Sequence, residues 1–180
     1  ECDREDVFDI ILTIKEIFET EKTNDIYVNV SSGSKIQAIA CMMACMTFRD
    51  YDPTPYYVVP ESYPGTQSTE PQTSGMKKTV NLPKYEMKKP EKKIIKALRI
   101  IVDEGGRITK KELAEKTDKE KIIVVGAADK NYDKVRYGML DKSIVSPLEH
   151  IWKFIKVEKV GRNHWIELTV EGKNASKFLL

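Results

Sequence analysis

The sequence predicts two modules in series. Residues 1–88 read as an α/β part with an incomplete parallel sheet of Rossmann-like grammar, and residues 89–180 as an α+β part of three helices closed by a β-hairpin. Three observations carry this. Charge divides the chain: residues 1–76 hold 5 Lys/Arg against 13 Asp/Glu, a net −8, and residues 77–180 hold 25 against 15, a net +10. The first part alternates helix, strand, tight turn, helix and strand, the grammar of a parallel sheet. The second shows three helical apolar periods before two short β-rich runs around Gly161-Arg162-Asn163.

Val7, Ile10, Ile11, Ile14, Ile17 and Phe18 recur at helical spacing and predict an amphipathic helix over about residues 4–22. Asp25 to Val30 is short and largely apolar, as a buried parallel strand should be. Ser31-Ser32-Gly33-Ser34 forms a polar turn. Lys35 to Phe48 is apolar on nearly every side and predicts a buried helix. Pro55 to Val59 is a second strand. Two strands do not complete such a sheet: either further strands precede Glu1, in a longer protein of which this chain is a fragment, or partner subunits cover the exposed edge, and the first is the preferred expectation. Residues 61–76, rich in Ser, Thr, Pro and Gln, read as a loop, and Lys78 to Leu82 as a returning edge strand.

Past a basic connector punctuated by Pro83 and Pro90, Ile94, Ile95, Leu98, Ile101 and Val102 predict a helix that ends at Gly105-Gly106. Arg107-Ile108 leads into Thr109-Lys-Lys-Glu112, a capping box that starts a second helix. Residues 119–131 leave strand and helix both open at Ile122 to Val125. Tyr137, Leu140, Ile144, Leu148 and Ile151 line a third helix over about Asp133 to Trp152, in which Pro147 should produce a kink or a split. Phe154 to Val160 and His164 to Thr169 form a hairpin. Val170 to Leu180 closes the chain as a helix.

Three helices and a terminal hairpin, in that order, make a winged helix-turn-helix. The arrangement suits double-stranded DNA, because one helix fills the major groove while the hairpin reaches neighbouring phosphates. The candidate contacts are Lys130, Lys134, Arg136 and Lys142 on the third helix, and Lys159, Arg162, Asn163 and His164 at the hairpin tip. Asp129, Asp133 and Asp141 interleave with the helical bases. Trp152 and Trp165 read as core residues. A protein-binding scaffold built on the same winged helix is the alternative from the interaction class.

The segment from Asn29 to Lys35 joins a strand to a helix, where backbone N–H groups and the helix dipole favour anions. Asn29, Ser31, Ser32, Gly33, Ser34 and Lys35 are therefore candidate ligand contacts. The run DIYVNVSSGSKIQAIACMMAC resembles the signature turn of CARF domains, the CRISPR-associated Rossmann folds. With RYGMLDKSIVSPLEHIWKFIKVEKVGRNHWIELTVEG, the layout is similar to archaeal CARF-type transcriptional regulators with a C-terminal winged helix. The resemblance implies a homodimer whose paired turns bind a cyclic oligoadenylate through Asn29, Ser31, Gly33, Ser34 and Lys35, with DNA affinity responding. It also raises a second alternative, a ring nuclease using Lys35 and the Ser hydroxyls on the reacting phosphate.

No general base stands beside that turn in the sequence, and no paired carboxylates, metal-ligand cluster or Ser-His-Asp arrangement emerges. A non-enzymatic regulator without metal or cofactor is the expectation. Cys2, Cys41 and Cys45 have no metal spacing, and an odd count suits a reducing, cytoplasmic setting. No apolar run approaches the ~20 residues a bilayer span needs.

Overall fold

The carboxylate of Asp6 accepts hydrogen bonds from the backbone N–H groups of Phe8 (2.8 Å) and Asp9 (3.4 Å), and this cap begins α1, Val7–Thr20. A computed structural model of the chain describes residues 2–63, 73–85, 87–126 and 131–180. It divides into two units, Glu1–Lys89 and Pro90–Leu180.

In the first unit α1 is followed by β1 (Tyr27–Asn29), α2 (Lys35–Thr47), a 3₁₀ turn at Arg49–Tyr51, β2 (Thr54–Val59) and β3 (Lys78–Asn81). The sheet is ordered β1-β2-β3. β1 and β2 are parallel, with Val28 opposite Pro55, and β3 runs antiparallel to β2, with Val80 opposite Tyr57. The two strands expected to be parallel are so, and the returning edge strand makes the sheet a small mixed one. The reason lies just past β2, where Ser62 and Ser74 exchange backbone hydrogen bonds of 3.1 and 3.2 Å as an antiparallel bridge. The chain comes back beside itself there, whereas a parallel neighbour needs a crossover connection. Most of the predicted loop 61–76 lies outside the described residues.

α1 packs on α2, and the buried apolar residues of the pair are Ile10, Ile11 and Phe18 on one side and Ala40, Ala44 and Cys45 on the other. Small residues on α2 let the two helices approach closely. That burial is one-sided: Ile39 of α2 is 57 % exposed and Ile17 of α1 is 52 % exposed. The expectation of a helix buried all round is corrected accordingly. Burial, with the neighbouring Cys41 adding to it, pushes the Cys45 thiol up to about 12. A thiol held so far from ionisation is a packing group rather than a nucleophile.

The second unit contains α3 (Lys92–Asp103), β4 (Arg107–Thr109), α4 (Lys110–Lys119), α5 (Tyr132–Leu140), β5 (Ile155–Val160), β6 (Asn163–Leu168) and α6 (Val170–Leu179). α3 ends where Gly105 and Gly106 adopt φ of +77° and +84°, donating to the carbonyls of Val102 and Ile101. The turn delivers the chain into β4, a three-residue strand for which the sequence shows no period. β4 pairs with β6, Ile108 opposite Ile166, and β6 pairs with β5, giving the order β4-β6-β5. Residues 121–126 form neither of the two structures left open for them. Lys121 turns the chain at φ +55°, and the N–H groups of Ile122 and Ile123 both reach back to the carbonyl of Thr117.

Past α5 the helix continues through π-helical turns at Asp141–Val145 and Pro147–Ile151. Ser146 between them keeps helical dihedrals, φ −60° and ψ −45°, so of the kink or split expected at Pro147 the split does not occur, and the helix widens there. Proline has no N–H to give to an i−4 carbonyl. The wider turn changes the partners instead: Ser146 donates to Asp141 and Trp152 to Pro147, each five residues back.

Ala97, Leu98, Ile101, Leu113, Ala114, Leu140, Ile144, Leu148 and Ile166 are all fully buried and form one core joining the helices to the sheet. Burying each large aliphatic side chain contributes roughly 1.5–3 kcal/mol. Such a core fixes α5 and the β5–β6 hairpin relative to α4. No described helix is long and apolar enough to cross a membrane.

Candidate nucleic-acid interface

Gly161 is the hinge of the hairpin. Val160 pairs directly with Asn163, which leaves a two-residue loop, and Gly161 takes the positive φ, +63°, that such loops require. The loop lifts Arg162, Asn163 and His164 into solvent, all exposed, with Lys159 opposite His164 across the ladder. Beside them the capping box of α4 is complete. The Thr109 hydroxyl receives the Glu112 N–H at 3.2 Å, and the Glu112 carboxylate receives both the Thr109 N–H (3.1 Å) and its hydroxyl (2.7 Å). Those hydrogen bonds hold the Glu112 carboxyl below its ordinary range.

These elements converge on a cleft of about 340 Å³ lined by Thr109, Lys110, Lys111, Tyr137, Arg162, Asn163 and His164. It joins the first turn of α4, the outer side of α5 and the hairpin tip. Lys110 is held by Asp141 at 2.7 Å, half out of solvent. Lys111 and Arg162 make no ion pair among the described residues, so their charge faces the cleft unneutralised. Imidazole, amide, phenol and hydroxyl groups supply further hydrogen bonding. The arrangement can grip a phosphodiester: fixed cations, donors on three rigid elements, and no competing carboxylate in the lining.

Among the residues singled out in the sequence, Arg162, Asn163 and His164 come together in this cleft. Lys159, opposite His164 across the ladder, is exposed and does not line it. Lys134 and Lys142 are exposed on α5 and its continuation, and neither has an ion pair among the described residues. Lys130 lies outside the described residues. Arg136 is a correction. Its side chain is 14 % exposed, bonded to Asp133 at 2.7 Å and lying 3.7 Å from Asp118. The faces of Tyr132 and Tyr137 stand 5.8 and 5.9 Å from its guanidinium carbon. Two carboxylates and two rings draw Arg136 inward, where it braces α5 against α4. The Tyr132 hydroxyl completes the brace by donating to Asp118 at 2.7 Å, which raises the phenol's pKa. Trp165, read as a core residue, is half-buried under Arg107, whose guanidinium stands 4.6 Å over the ring.

Sequence reasoning missed Thr109, Lys110, Lys111 and Tyr137. A signal was there for the lysines: cations in the first turn of a helix oppose its dipole, at a cost of about 0.3–1 kcal/mol, and helices normally place acids there.

The Ser-Gly turn of the first unit is largely occupied with its own folding. The Asn29 side chain accepts the Ser31 N–H at 2.8 Å, and the Ser31 hydroxyl accepts the Val58 N–H at 2.5 Å. Ser34 caps α2, completing a capping box with Gln37. Gly33 sits at φ +88°, and a β-carbon there would come within 2.5 Å of the Gln37 side-chain oxygen. Ser32 and Lys35 remain exposed without a hydrogen bond or ion pair among the described residues.

A strand between the first two helices, a helix leading into a hairpin, and a basic cleft under the hairpin tip define the second unit as a winged-helix domain. Residues 93–179 match the family model described as the DUF6293 C-terminal winged helix domain. Residues 1–63 match the one described as HFX_2341_N:-like, N-terminal. That description names neither a Rossmann nor a CARF fold. No curated protein matches the chain.

Proposed function

We propose that this chain is a transcriptional regulator whose winged helix binds double-stranded DNA. The observation that carries it is the cleft where Lys111 and Arg162 stand without ion-pair partners among the described residues, together with the exposed Lys134 of α5 and Lys142 of its continuation. α5 enters the major groove, and the hairpin tip grips the phosphate strand alongside. The net +6 of residues 90–180, 20 Lys/Arg against 14 Asp/Glu, draws the domain to the duplex and makes affinity fall with salt. The effector half of the proposal is a cyclic oligoadenylate bound by a homodimer at the Ser-Gly turn. It is supported by the resemblance of that turn to the CARF signature and by the exposure of Ser32 and Lys35.

The test is fluorescence anisotropy of a labelled mixed-sequence duplex titrated with the full chain at several salt concentrations. Micromolar binding that weakens with salt is expected, and Arg162→Glu together with Lys111→Glu should abolish it. A duplex left unbound at the lowest salt would remove the reading. Addition of cyclic oligoadenylates to the same titration tests the effector: an unchanged isotherm at saturating ligand would remove that half alone.

A further inference from the structure

We infer that the duplex makes its closest approach to this protein at the backbone of Gly138, on the outer side of α5. The inference rests on the DNA-binding reading and specifies where the helix seats. Gly138 lies in the last turn of α5, inside a helix that runs on through π-helical turns, where glycine is the least favourable residue after proline because it gives up the most backbone freedom. Nothing in the described structure requires it. Its φ is not positive, and a β-carbon built there would meet nothing within 4 Å. Gly161 and Gly172, by contrast, do have internal reasons. Gly161 needs its positive φ, and a β-carbon on Gly172 would lie 2.0 Å from the Phe154 carbonyl oxygen.

A helix that carries this penalty with empty space outside it is shaped for something that fills the space. The surroundings name the occupant by charge. Lys134 and Lys142, four residues to either side and both exposed, flank Gly138 along the helix, while the interleaved Asp133 and Asp141 are taken up by Arg136 and Lys110. Tyr137, its immediate neighbour, opens into the cleft with Lys111, Arg162 and His164. A polyanion fits this strip and an acidic-poor protein surface does not. Removing the β-carbon lets the helix axis sink toward the groove until the two lysines reach phosphates on either side. A side chain at 138 would hold the helix off and lengthen both contacts at once.

The experiment is Gly138→Ala and Gly138→Met in the full chain, with Gly126→Ala as control. Gly126 also has open space around it but lies outside any helix. Thermal melts should show both Gly138 variants at least as stable as the unmodified protein, since Ala and Met are better helix formers. Affinity for the duplex should fall about tenfold for Ala and further for Met, with Gly126→Ala unchanged. Equal affinity for the unmodified protein, Gly138→Ala and Gly138→Met would overturn the inference while leaving the DNA-binding reading intact. Failure of the unmodified protein to bind any duplex would overturn both.

Discussion

Arg136 donates to Asp133 one turn earlier on the same helix, across 2.7 Å, with 14 % of its side chain exposed. The pair converts a residue that reads as a DNA contact into part of the scaffold. Together with Asp118 it fixes the start of α5 against the end of α4, so the strip bearing Lys134, Gly138 and Lys142 is presented in one orientation. Preorganisation of this kind cuts the ordering cost of binding.

Arg136→Ala should therefore act on stability first. Removing it leaves Asp118, whose side chain is 19 % exposed, with the Tyr132 hydroxyl but no cation beside it among the described residues, and uncovers two tyrosine rings. The loss lies between that of a surface pair and a buried one, about 1–3 kcal/mol. Urea unfolding measures it. Where the variant is still folded, the slope of log affinity against log salt should match that of the unmodified protein. A slope shallower by about one contact would show Arg136 on a phosphate.

Lys111→Ala and Arg162→Ala should behave in the opposite way. Neither side chain supports the core, so stability should stay within about 0.5 kcal/mol. Each should lower affinity similarly across duplex sequences and reduce the magnitude of the salt slope by about one. Lys110→Ala should cost less affinity than Lys111→Ala, because Asp141 already holds its charge. Salt titrations of the three variants against one duplex check the ordering.

Gly172→Ala should be among the most damaging single changes in the domain. A β-carbon at 172 would sit 2.0 Å from the Phe154 carbonyl oxygen, which also accepts the Thr169 N–H at 2.9 Å. That junction is rigid: Thr169 caps α6 through the Gly172 N–H at 3.0 Å and donates to Lys153, itself at φ +55°. Relief requires α6 to move off the sheet, with loss of several kcal/mol. A thermal melt unchanged by the substitution would contradict the docking of α6.

What the sequence made legible follows from how local each cause is. The capping box at Thr109 and Glu112, the Gly105-Gly106 stop and the Gly161 hairpin are set by neighbours a few residues apart, and pattern alone places them. β4 is three residues long and takes its partners from β6, more than fifty residues later, so no local period announces it. Arg136 looks like a surface base until Asp118, on another helix, takes its charge. Tyr137 reads as core by its spacing with Leu140 and Ile144, yet it also lines the cleft, because a half-buried ring serves both sides. Residues of the cleft that come from α4 are separated in sequence from the hairpin tip, and only the β4–β6 pairing brings them together.

The Thr109–Glu112 box gives the domain a signature in acid. Glu112 has its carboxyl held low by the Thr109 hydroxyl first and the Thr109 N–H second. A carboxylate with a depressed folded pKa contributes stability that is fully present above its unfolded value, about 4.3. That contribution is lost as the pH falls through the lower folded value. Thr109→Ala removes both the cap for the Glu112 N–H and the hydroxyl bonded to its carboxylate, at a cost of about 1 kcal/mol near pH 7. The gap between the unmodified protein and Thr109→Ala should narrow as the pH is taken from 7 toward 3, because the charged half of the box disappears from both. Denaturant midpoints at each pH report it. A gap that stays constant over that range would mean the Glu112 carboxylate adds nothing to the cap, and that the start of α4, with Lys110 and Lys111 on its first turn, is held by the Thr109 hydroxyl on the Glu112 N–H without it.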